Sequence, residues 1–532
     1  MAVAKISNPI LKGFNPDPSI IRVEDDYYIA TSTFEWFPGV QIHHSKDLVH
    51  WELIAHPLNR VSQLDLRGVG PSQGVWAPCL TYDNGLFYLI YTVVNSFYVK
   101  MYDTHNYVVT ASDIRGDWSE PVFLNSYGFD PSLFHDEDGR KYIVSMVTDH
   151  RVHKPYKGHL VLQEYSAEEE RMIGEVRTIF ASRDLYLEGP HIYKRNGYYY
   201  LFAADTGTGE GHGQSILRSR ELYGPYEYYE GNSIMTSRDN PDVLLQKAGH
   251  GDLVETQTGE WYMVHLCGRA LENRTEAGER KYTLGRETAI QKVEWTGDGW
   301  LRLSHGSVIP EVEVEAPALP PFPFPARPER DHFDQPQLDI HFQSLRVPLD
   351  ETFYSLSTRK GYLRLYGREG LGSKFWQSLI ARRWQAFTFT ATTCLEFAPD
   401  NFKQMAGLIC LYDYQNYYYL HITHHEQFGR SISILSAINN RYEEPVGYTA
   451  LPEDSARIHL RVLVDHDRLQ FAYSLHEDGE FEPIGPVFDA STLSDEACRE
   501  GWFTGAFVGI CCQDLTGFRK AADFDYFEYS EK

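Results

Sequence analysis

Asp17, Asp130 and Glu188 are the residues of this 532-residue chain best suited to chemistry. Three carboxyl groups gathered in one place repel each other, so one is held protonated near neutral pH while another stays ionised. Hydrolysis of a glycosidic bond needs that difference. One group protonates the leaving oxygen and another supplies a nucleophile from the opposite face of the sugar. Glu188 has the longer reach and is the natural acid. Spacing marks the three out: Asp17 stands nine positions before Asp26, Asp130 nine before Gly139 and Glu188 nine before Gly197. The same interval separates Trp76 from Gly85 and His250 from Gly259. The five turn positions are 59, 54, 58 and 62 residues apart, so the interval within a unit is kept while the interval between units drifts. This is an internal repeat with one chemically loaded position per copy.

Each copy reads as a β-hairpin. The stretches PDPSIIRVEDDYYIATS, WAPCLTYDNGLFYLIYT, FDPSLFHDEDGRKYIVS, EGPHIYKRNGYYYLFAA and HGDLVETQTGEWYMVHL share one pattern: a short, mainly apolar run, a polar turn, then an aromatic and β-branched run. Periods of this length without a helical pattern predict a five-bladed β-propeller. The marked position opens the first strand of each blade, which lines the channel, so one mouth collects all five side chains. Asp, Pro and Gly occur in turns for ordinary reasons. Five copies that keep the place and vary the chemistry fit a site better.

A second module follows. The run EVEVEAPALPPFPFPARPERDHFD, with Pro at 317, 320, 321, 323, 325 and 328, predicts an extended, semi-rigid tether. The expected division is a propeller over 1–312, a Pro-rich linker over 313–330 and a lectin-like β-sandwich over 331–532, the last from alternating segments such as 387–391, 417–422 and 458–464. The fold class is all-β throughout. A net charge of −25, from 74 acidic against 49 basic residues with no basic stripe, argues against nucleic acid and anionic membrane as partners. A small neutral oligosaccharide meets no such penalty. No apolar run approaches the roughly 20 residues needed to span a bilayer. The N-terminal stretch lacks the pattern of a secretory signal. Seven Cys, with Cys511 and Cys512 adjacent, make neither a disulfide nor a zinc framework. Together these features favour the cytoplasm. The glycine-rich run DTGTGEGHG at 205–213 is not followed by an amphipathic helix, which speaks against nucleotide binding. His250, inside the repeat, is suited to binding a hydroxyl, adjusting a carboxyl or holding a metal through water, in that order.

GFNPDPS at 13–19, GFDPSLFHDEDGRKY at 128–142 and EGPHIYK at 188–194 resemble the three acid motifs of family 43 glycoside hydrolases, most closely its two-domain β-xylosidases. STFEWFPGVQIHHSKDLVHW at 32–51, GVWAPCL at 74–80, LQKAGHGDLV at 245–254, LGRETAI at 284–290 and GWFTGAFVG at 501–509 extend the resemblance over almost the whole chain. It implies a five-bladed propeller, a sandwich reaching the active-site mouth, and an inverting mechanism. Asp17 is then the general base, Glu188 the general acid and Asp130 the carboxylate that tunes and orients the acid, with Asp17 and Glu188 roughly 6.5–9.5 Å apart. The resemblance also places Phe34 and Trp76 against the sugar, Arg286 on its hydroxyls, His250 behind the pocket, and Phe503 as its closure with Phe507 as the alternative. The implied activity is release of β-D-xylose from the non-reducing ends of xylo-oligosaccharides. The rivals are an α-L-arabinofuranosidase or bifunctional enzyme and, outside catalysis, a carbohydrate-binding propeller. No cofactor is required on this reading, with a divalent cation such as Ca2+ near His250 as the alternative, and a homo-oligomer is expected. Departures from the family pattern stand at Thr148, at 204–208 with His212 after, and at Tyr282-Thr283. All three are predicted to lie near the pocket, so the preferred sugar turns on them.

Overall fold

The computed structural model describes residues 4–98, 101–154, 158–182, 186–477 and 479–532. Five antiparallel sheets follow one another along the first part of the chain. Their innermost strands are Ser19–Val23, Gly74–Asp83, Phe129–His135, Leu187–Arg195 and Gln246–Glu255. Each turns back in a tight hairpin. Asn84-Gly85 and Asn196-Gly197 form two-residue turns in which both residues have positive φ, 50° and 82° in the first and 50° and 74° in the second. Asn and Gly tolerate that conformation at little steric cost, which fixes the turn and hence the register.

Hydrogen bonds tie the inner strands into a ring. Leu80 N donates to Ser19 Oγ at 3.1 Å, and Ser132 Oγ donates to Pro190 O at 2.5 Å. Leu253 N donates to Tyr193 OH at 2.9 Å. The ring closes at Asp252, whose Oδ2 accepts from Ser19 Oγ at 2.9 Å and from Ile20 N at 2.8 Å, joining the fifth blade to the first. Outside this closure Lys5–Ser7 pairs with Glu313–Glu315.

The marked positions have a common backbone origin that differs in detail from the nine-residue interval. A left-handed residue stands in or just before each inner strand: Asp17, Ala77, Asp130, Gly189 and His250 have φ of 54°, 20°, 50°, 53° and 52°. Pro follows in four blades and Gly251 in the fifth, and the hairpin closes five residues later in all five. In blades two to five the strand pairing slips at this point. Such bulges bend the strand and re-aim its side chains, here toward the channel. Counted from the bulge, Asp17, Asp130 and His250 are equivalent, whereas Trp76 and Glu188 stand one position earlier. Three-residue turns in blades three and five offset that extra residue, and in blade one, whose turn has two residues, the interval of nine runs past the turn to Asp26, the first residue of the next strand.

The second module is a sandwich of two antiparallel sheets. The sheet containing Leu379–Arg383, Gln404–Asp413, Asn416–His425 and Phe507–Asp514 is buried on both faces. Along its strands Ile380, Leu408, Leu420 and Val508 enter the sandwich core. The alternating residues Leu379, Ile409, Tyr419 and Phe507 join Phe14, Phe34, Trp36 and Trp76 of the propeller in one continuous cluster. Trp36 stacks on Phe507 with centroids 3.6 Å apart and planes 10° apart. Trp36–Phe37 also pairs with Ser344–Leu345 across the seam. The Pro-rich segment is no free tether: Phe322 N donates to Asp47 Oδ2 at 2.7 Å, and Ala318 N donates to Glu260 Oε2 at 2.9 Å. It is pinned to the outside of blades one and five.

Candidate active site

A cavity of about 450 Å³ opens at the mouth of the propeller channel. Asp17, Phe34, Trp76, Asp130, Glu188, His250, Arg286 and Phe503 all line it. The left-handed residues explain why three carboxyls meet there. Asp17 and Asp130 project from left-handed residues, and Glu188 projects from the residue beside Gly189. A side chain on Gly189 is excluded: its Cβ would lie 2.7 Å from His250 Nε2.

The carboxyls differ in their partners. Asp17 accepts from Arg286 Nη1 at 2.8 Å through Oδ1 and from Ser32 Oγ at 2.7 Å through Oδ2. Asp130 Oδ2 accepts from Gly189 N at 3.1 Å and so fixes the backbone next to Glu188. Glu188 Oε1 is buried without a hydrogen-bond partner. Burial, followed by the charge of Asp17, pushes Glu188 up to about 7, with Arg286 opposing. Burial and then the charges of Glu188 and Asp17 push Asp130 well above the usual carboxylate range. Burial lowers His250 to about 4. Its ring is therefore neutral at neutral pH, with Nδ1 3.9 Å from Asp17 Oδ1. Among the described residues no three His, Cys, Asp or Glu side chains are grouped to hold a metal ion.

Aromatic rings wall the rest of the cavity. Phe34 and Trp76 have centroids 6.0 Å apart, and Phe503 lies 6.0 Å from Phe34 and 5.4 Å from Trp76. Arg286 sits over Phe34 and Phe503, 5.5 Å from each centroid, and its Nη2 donates to Phe503 O at 3.1 Å. Phe503 belongs to the loop before the strand Phe507–Asp514. Phe507, the alternative closure, is spent in the seam against Trp36.

Tyr102, Phe129, Tyr186 and residues 206–208 also line the cavity. Of the departures from the family pattern, only 206–208 reach it; Thr148, Tyr282 and Thr283 do not line it. Phe129 and Tyr186 flank two of the marked carboxyls in sequence, a signal that was available. Tyr102 was not legible. It stands near the tip of an overlong hairpin, Leu86–Tyr98 and Met101–Ala111, and stacks on Phe97, which meets Trp502 and Phe503 at 6.2 Å.

Residues 6–301 match the model of glycosyl hydrolases family 43, and residues 330–530 match that of the beta xylosidase C-terminal concanavalin A-like domain. The chain belongs to family 43. It is 48% identical to the "Beta-xylosidase" of Bacillus subtilis (strain 168), over 99% of this chain and 100% of that one. It is 46% identical to the "Xylosidase/arabinosidase 43B" of Humicola insolens, over 99% and 97%. The crystal structure of xylan beta-1,4-xylosidase from Bacillus halodurans C-125 superposes with a TM-score of 0.96 at 49% identity, covering 99% of this chain and 100% of that one. The family assignment makes the chain a glycosidase whose propeller carries the carboxyl cluster and whose sandwich supplies part of the wall.

Proposed function

We propose that this family 43 glycosidase releases β-D-xylose from the non-reducing ends of β-1,4-linked xylo-oligosaccharides, with inversion at the anomeric carbon. The observation that carries the reading is the pairing of two unlike carboxyls in one cavity. Glu188 holds its proton up to about pH 7 and has an unpartnered oxygen, while Asp17 is bound by Arg286 and Ser32. Glu188 donates its proton to the glycosidic oxygen as the bond to the anomeric carbon breaks. A water attacks that carbon from the opposite face and gives its proton to Asp17. Asp130, through Gly189 N, holds Glu188 in line. The aromatic walls take the apolar faces of one sugar, and Arg286 reaches its hydroxyls.

Proton NMR of fresh digests of xylobiose is expected to show the α-anomer of xylose first; initial β-xylose contradicts inversion. Similarity to an enzyme named for both sugars supports arabinofuranoside cleavage as the second reading. Rates on a xyloside and an arabinofuranoside with the same chromogenic leaving group decide between them, and a large preference for the arabinoside overturns the first. Comparing 1,3- with 1,4-linked xylobiose tests the linkage. The residues assigned here carry every proton transfer, so chelation and dialysis are expected to leave turnover unchanged. The seven unpaired, buried cysteines support a reducing compartment.

A further inference from the structure

Ser72 lies outside the cavity lining, yet all three of its polar groups are spent beside it. Its carbonyl accepts from Trp76 Nε1 at 2.9 Å, its Oγ accepts from Phe503 N at 3.2 Å, and its N–H donates to Glu35 Oε2 at 3.0 Å. Trp76 comes from the second blade of the propeller and Phe503 from a loop of the sandwich, so one buried residue holds a wall from each module. Ser72 is fully buried with φ of 58°, a conformation that costs a non-glycine residue energy and persists only where its surroundings enforce it.

The surroundings are the seam itself. Glu35 follows the pocket residue Phe34, is fully buried, and lies 4.0 Å from the equally buried Arg346 at the start of the sandwich. Arg346 N donates to Glu35 O at 2.8 Å, and its Nε donates to Val69 O at 2.7 Å in the segment leading to Ser72. From the other side Gly501 packs so closely that a Cβ there would lie 2.7 Å from Ser72 Oγ. Phe34 is locked to the same segment by paired backbone bonds with Val75, at 2.9 and 3.0 Å. Three of the rings that wall the cavity, Phe34, Trp76 and Phe503, therefore converge on one short stretch of chain, beside the buried contact of Glu35 with Arg346 between the modules.

We infer that Ser72 is a positioning residue: held by Glu35 and Arg346 at the seam, it sets Phe503 against Trp76, so that the sugar-binding wall is complete only when the sandwich is docked. The inference rests on the cavity being the reaction site. Ring walls contact the sugar before and during reaction alike, so their misplacement weakens binding more than turnover. Ser72→Ala removes only the acceptor of Phe503 N, and Ser72→Gly removes the same acceptor while relaxing the backbone. Both are expected to raise KM on xylobiose by about fivefold or more, with kcat within about twofold. In a Phe503→Ala background, where the ring being positioned is gone, Ser72→Ala is expected to add almost nothing to the loss in kcat/KM. Fully additive losses, an unchanged KM in both Ser72 variants, or a loss confined to kcat overturns the inference. Failure of the reaction-site reading is separable, because it would leave Glu188→Gln active.

Discussion

At the residue scale the proposed chemistry rests on three buried carboxyls whose environments differ. Glu188 titrates up to about 7, so kcat/KM is expected to fall as pH rises past that value and the acid form is lost. Glu188→Gln removes that alkaline limb. Stability carries the same signature. A carboxyl whose folded value is raised contributes stability that is present below its ordinary value near 4.5 and lost as pH rises through about 7. The melting temperature of Glu188→Gln relative to wild type is therefore expected to rise across that window, as read by thermal melts at a series of pH values. A constant difference at every pH contradicts the origin proposed for the shift.

Elements decide which residues can reach the site. A left-handed backbone aims Asp17 and Asp130 into the channel, and at Gly189 the same conformation leaves room for His250. Gly189→Ala is expected to displace His250 and Glu188 together and lower kcat/KM at least about tenfold, since small misplacements of catalytic groups are costly. Gly85→Ala is the control. Its turn has a positive φ but nothing within 4 Å, so the cost is about 1–2 kcal/mol of stability with activity retained. The hairpin repeat and the three acids were legible because turn chemistry and strand alternation are local. The offset of Trp76 and Glu188 from the other three was not, because a bulge residue in one place and a turn residue in another give the same spacing. Tyr102 escaped for a different reason: its approach to the cavity depends on how far a hairpin overshoots its blade.

On the scale of the whole molecule, propeller and sandwich share a core and not merely a boundary. The seam was beyond reach of sequence patterns, since the alternation of Leu379, Ile409 and Phe507 marks a second buried face without saying what covers it. Phe507→Ala removes the ring stacked on Trp36 and is expected to cost about 3–5 kcal/mol, lowering a single unfolding transition shared by both modules. Two separate transitions, with only the sandwich affected, contradict a shared core. The sandwich also brings Phe503 into the cavity wall, and the acid assignment is the point on which the proposed function turns. It is tested most directly by kcat/KM of wild type and Glu188→Gln on xylobiose and on a dinitrophenyl xyloside, whose leaving group needs no proton. A general acid at Glu188 predicts a loss of about 10²–10⁴-fold on xylobiose and a far smaller loss on the activated xyloside; equal losses on both, or none on xylobiose, would contradict it.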